Sequence, residues 1–101
     1  MSVIVIGRFR VASTDQAKQS LSSNAAVLDE ISEDAKRMGA LHHQFLEGDG
    51  ELLVLDEWES AEAFNRFFQS NTKVPTVMQN AGVQGEPRFE FFSPVEAAGT
   101  F

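Results

Sequence analysis

Read with a period of two, Val3 to Val11 divides into Val3, Val5, Gly7, Phe9 and Val11 on one side and Ile4, Ile6, Arg8 and Arg10 on the other. A period of two predicts a strand, and because both sides begin apolar, both need cover. Ser13, Thr14 and Asp15 form a turn and offer helix caps. From Gln16 to Met38 the residues Ala17, Leu21, Ala25, Leu28, Ile31, Ala35 and Met38 recur every three or four positions, which predicts one amphipathic helix of about 22 residues. Gly39 suits the position just past its end. Alternation resumes over Ala40–Leu46, with Leu41, His43 and Phe45 opposite Ala40, His42, Gln44 and Leu46. Glu47-Gly48-Asp49-Gly50 reads as a hairpin turn, and Leu52–Trp58 as the returning strand.

Ser60 then caps a helix running to about Asn71, with Glu62 in its first turn and Phe64, Phe67 and Phe68 in one stripe at i, i+3 and i+4. Pro75 interrupts the following segment, so Thr72–Ala81 is a broken or second short helix. Gly82, Gly85 and Pro87 lead into a fourth strand, Arg88–Ser93, and residues 94–101 form a tail. The order β-α-β-β-α-β predicts a single α+β domain over residues 1–101. Its expected architecture is ferredoxin-like, a four-stranded antiparallel sheet with the helices on one face. Two helices cover only that face. The other, carrying Ile4 and Ile6, needs a second copy of the sheet, which predicts an isologous homodimer with the C-terminal segment reaching across.

Charge and composition narrow the partners. Eight basic against fifteen acidic residues give a net charge of −7, which disfavours nucleic acid and anionic membranes. The chain has no cysteine, hence no disulfide and no thiolate chemistry. The opening MSVIVIGRF lacks the basic region of a signal peptide, no apolar run reaches the length of a membrane span, and a cytoplasmic location is expected. Gly48 and Gly50 lie in a hairpin and not ahead of a helix, so no nucleotide loop is expected. Asp29, Glu30, Glu33 and Asp34, with Lys36 and Arg37, read as a hydrated helix face and not as a metal site.

The candidate chemistry is sparse. His42 and His43 are the only histidines, and as strand neighbours they face opposite ways. His43 falls on the helix side with Leu41 and Phe45. It is either a satisfied core-edge histidine or a general base, for which an imidazole is suited near neutral pH. His42 belongs to the interface side. Trp58 is either a lid on the core or an indole donor to a ligand. Phe9, Phe45, Phe64, Phe67 and Phe68 are core, or the aromatic wall of a pocket if packing leaves a void. Arg8 and Arg10 are expected to pair with Asp56, Glu57 or Glu90.

The strand ending GELLVLDEWES, the helix AEAFNRFFQSN, the preceding GALHHQF and the element order resemble the antibiotic biosynthesis monooxygenase-like proteins of the dimeric α+β barrel superfamily. The resemblance spans nearly the whole chain. It implies a dimer joined through its sheets, a pocket between sheet and helices, and, in some members, cofactor-free oxidation of polycyclic aromatic compounds by dioxygen. Other members degrade haem with an asparagine, a tryptophan and a histidine at places that fall near Gly7, Phe67 and Val77, none of which carries the required side chain. The implied function is a cofactor-independent monooxygenase acting on a small aromatic or polyketide-like compound, with His43 as base and the aromatic residues as wall. The alternative is a non-catalytic dimeric module that binds such a compound.

Overall fold

The computed structural model describes residues 2–101. Its elements run β1 (Val3–Arg10), α1 (Thr14–Ser23), α2 (Ala25–Arg37), β2 (Ala40–Gly48), β3 (Glu51–Trp58), α3 (Ala61–Ser70), α4 (Lys73–Asn80) and β4 (Arg88–Phe92). The strands form one antiparallel sheet in the order β2-β3-β1-β4, which is the expected α+β, ferredoxin-like topology.

The expected single helix from Gln16 to Met38 is two. Asn24 closes α1 by donating its backbone N–H to the carbonyls of Ser20 and Leu21, while its Nδ2 takes the Ser20 carbonyl at 2.7 Å. Its own carbonyl then accepts from Leu28 N–H and opens α2. A short amide side chain competing for helix carbonyls is the physical reason for the break. Ala25, counted in the apolar stripe, is exposed just beyond it. Gly39 follows α2 at φ +115°, a left-handed conformation that other residues adopt reluctantly.

The caps fall where the sequence places them. Ser13 Oγ accepts from Gln16 N–H and Ser60 Oγ from Ala63 N–H, at 3.2 and 3.1 Å. Asn71 serves two helices: its N–H closes α3 on the Phe67 carbonyl, and its Oδ1 accepts from the N–H groups of Lys73 and Val74 at the start of α4. Pro75 sits in the first turn of α4, where its missing N–H costs nothing.

The helix side of the sheet carries Val5, Gly7, Phe9, Leu52, Val54, Asp56 and Trp58, all buried. One core cluster joins Val5, Ala35, Trp58, Ala63, Phe64 and Phe67, and a second joins Val11, Ala17, Leu52 and Ala81. Strict alternation fails once, in β2. Ala40 pairs with Trp58 and His42 with Glu57, so Leu41 is an extra, bulged residue. Ala40 therefore packs against the helix-side core, opposite to the face alternation gave it. His43 and Phe45, beyond the bulge, pair with Asp56 and Val54 and keep the helix side.

The other face presents Ile4, Ile6, Leu53 and Leu55, partly buried, with Leu46 and Phe92 exposed at its two edges. Arg8 lies on it and forms ion pairs with Glu51 at 3.0 Å and Glu90 at 2.9 Å. Glu90 is one of the expected partners. Asp56, also expected as a partner, does not pair with an arginine, because it points to the opposite face.

Candidate active site

β2 and β3 bring His43 and Asp56 together as cross-strand partners. His43 Nδ1 lies 2.6 Å from Asp56 Oδ1, and Trp58 Nε1 donates to Asp56 Oδ2 at 3.1 Å. Asp56 is 6% exposed and Trp58 1%, whereas the imidazole is 38% exposed at the sheet edge. The carboxylate thus receives two N–H donors in a place almost free of water, where each bond is strengthened. An ionised carboxylate only accepts, so the neutral imidazole carries its proton on Nδ1 and exposes a lone pair at Nε2. Among the described residues Nε2 has no hydrogen-bond partner.

Beside this pair lies a cavity of about 570 Å³ between the sheet and the helices. Its lining includes His43, Asp56, Trp58 and all six aromatic residues singled out in the sequence: Phe9, Phe45, Phe64, Phe67 and Phe68 join Trp58 there. They divide by packing. Phe45 is 41% exposed and meets His43 edge-on, ring centres 4.8 Å apart. Phe64 and Phe67 flank Trp58 at 5.6 and 5.2 Å and lock its ring. Phe68 stacks on Phe64 at 5.8 Å.

Two contributors escaped the sequence reading. Asp56 follows Leu52 and Val54 on an otherwise apolar face, and that misfit was the available signal. Phe89 of β4 lies across Gly7 and meets Phe9, Phe64 and Phe68 at 5.9, 5.1 and 4.8 Å. Its position above Gly7 depends on pairing between β1 and β4 and leaves no local signature. His42 points to the other face and bonds Gln44 Oε1 at 2.9 Å.

Among the described residues, no group of three or more histidine, cysteine or acidic side chains is placed to hold a metal ion, and no helix is long and apolar enough to cross a membrane. The acidic patch of α2 is drawn into helix packing: Asp34 binds Lys73 Nζ at 2.8 Å, Asn71 Nδ2 at 3.0 Å and Arg37. The hydrogen bond from Lys73, supported by Asn71 and by the charges of Lys73 and Arg37, holds the Asp34 carboxyl below its ordinary range against the opposing effect of partial burial.

Solved structures, several of them described as antibiotic biosynthesis monooxygenases or cofactor-independent oxygenases, share this antiparallel ferredoxin-like fold along nearly the whole chain. The ActVA-Orf6 monooxygenase of Streptomyces coelicolor, solved with the ligand nanaomycin D, superposes with a TM-score of 0.72 at 17% identity, covering 99% of this chain and 93% of that one. SnoaB, a cofactor-independent oxygenase from Streptomyces nogalater, superposes at 0.64 with 16% identity and 98% of each chain covered. A dimeric ferredoxin-like protein from an uncultured marine organism gives 0.66 at 11% identity, with 96% and 93% covered. At these identities the likeness is one of fold. No family model and no curated protein matches the sequence.

Proposed function

We propose that this protein is a cofactor-independent monooxygenase of small hydroxylated aromatic or polyketide-like compounds, with His43 as the general base. The observation that carries the reading is the free Nε2 of His43, oriented by Asp56 and set at the rim of an aromatic cavity of about 570 Å³. The two Streptomyces oxygenases of the same fold support it.

His43 Nε2 takes a proton from the substrate and leaves an enolate or phenolate, held against the aromatic wall and shielded from water. Such an electron-rich anion reduces dioxygen directly. A carbon–oxygen bond forms through a hydroperoxide, and loss of water leaves a carbonyl where an anthrone-type substrate had a CH₂ group or a phenol an open ring C–H. One oxygen atom enters the product and the other leaves as water, so dioxygen is the only oxidant required. The protein supplies binding, orientation and the base.

Oxygen uptake with a panel of anthrones and hydroquinones tests this. Turnover of a panel member, lowered about 10²–10⁴-fold in His43→Ala, is the expected result. Turnover unchanged by that substitution removes His43 as base. Tight binding without uptake leaves the cavity as a ligand-binding module.

We further propose that two copies pair through the outer sheet face. Ile4, Ile6, Leu53 and Leu55 run across its middle and Phe92 and Leu46 extend the apolar strip to both edges. A continuous strip of this kind, opposite a helix-covered face, is what a second sheet would cover.

A further inference from the structure

We propose that Trp58 and Asp56 form a positioning unit that decides which nitrogen of His43 carries the proton, with Trp58 choosing the atom of residue 56 that faces the imidazole. This deepens the reading of His43 as base and rests on it only for its catalytic consequence.

Both oxygens of Asp56 are committed, Oδ1 to His43 Nδ1 at 2.6 Å and Oδ2 to Trp58 Nε1 at 3.1 Å. Among the described residues no lysine or arginine pairs with this carboxylate, so two N–H groups are its whole support. The indole N–H can donate but never accept, and therefore always requires an acceptor at its side of residue 56. Trp58 cannot turn away, being 1% exposed and clamped between Phe64 and Phe67. A carboxylate satisfies this demand and still offers a second acceptor to His43, so the imidazole proton stays on Nδ1.

An amide in the same place has one accepting and one donating end. In Asp56→Asn the indole claims the oxygen and the NH₂ group is turned toward His43. Nδ1 must then accept, its proton moves to Nε2, and the free lone pair is lost while the shape of the site is kept. The logic is that of the aspartate that sets the imidazole tautomer in hydrolytic triads, here with the orientation imposed by an indole. Replacing Trp58 by phenylalanine removes the constraint. In Trp58→Phe the carboxylate still accepts from Nδ1. In the double variant Asp56→Asn, Trp58→Phe the amide is free to turn over and present its oxygen to His43.

Nitrogen NMR of ¹⁵N-histidine-labelled full-length protein tests this without any substrate. It is recorded where the ring is neutral, with the His43 signals assigned by their absence in His43→Gln. The expected results are a proton on Nδ1 in the wild type, on Nε2 in Asp56→Asn, and predominantly on Nδ1 again in the double variant. A wild-type ring protonated on Nε2 overturns the proposal with no variant needed. So does an Asp56→Asn ring that stays protonated on Nδ1, or a double variant that fails to revert. Oxygen uptake on the same samples separates the two readings. Turnover is expected to fall roughly 10²-fold or more in Asp56→Asn and to recover in part in the double variant. Tautomers that move as expected, with no turnover of any panel compound, uphold the positioning unit and reject the oxygenase.

Discussion

Gly7 shows how much one missing side chain can organise. A Cβ at this position would lie 2.8 Å from Phe89 Cε1 and 2.9 Å from Val54 Cγ2, closer than carbon atoms tolerate. The glycine lets the Phe89 ring cross the sheet and close the aromatic cluster against Phe64 and Phe68. Gly7→Ala is therefore expected to destabilise the fold by about 1–3 kcal/mol through overpacking, read as a lower urea midpoint. The gap at Gly7 on the inward face was legible in the sequence, but the ring that fills it comes from the far end of the chain. Asp56 was hidden differently. Followed by Glu57, it looked like the charged end of a strand, although alternation from Leu52 and Val54 placed it inside. His43 faced the helices as alternation required, because the hairpin at Gly48–Glu51 fixes the register on its side of the bulge.

At the scale of elements, the strands, the caps at Ser13 and Ser60, and a second short helix after α3 followed from periodicity and turn residues. The break at Asn24 did not, because the apolar spacing continues through it unchanged. What holds α2 against the α3–α4 corner is Asp34, whose carboxylate gathers Lys73, Asn71 and Arg37. Its carboxyl titrates below the ordinary range in the folded protein, chiefly through the Lys73 hydrogen bond. A depressed folded-state pKa contributes stability that is complete above the unfolded-state value and is lost as pH falls through the folded one. The thermal midpoint of the wild type should thus exceed that of Asp34→Ala near neutral pH, and the gap should close on acidification below the ordinary carboxylate range. A gap that is constant with pH would assign the stabilisation to packing and not to charge.

For the molecule as a whole, the sheet divides its residues by parity between two tasks. Val54, Asp56 and His43 line the cavity, while Ile4, Ile6, Leu53 and Leu55 serve the outer face. Ile6→Glu places a charge in the middle of the proposed contact and is expected to yield monomer or aggregate, whereas the wild type is expected to sediment as a dimer at micromolar concentration. A stable wild-type monomer would defeat the pairing. The bulge at Leu41 has a consequence for the pair His43 and Asp56. It stands between two constraints: the end of α2 feeds the sheet on one side, and the hairpin sets the count of residues on the other. The residue looped out there absorbs the mismatch between the two, so His43 meets Asp56 in register although Ala40 is placed by the end of α2.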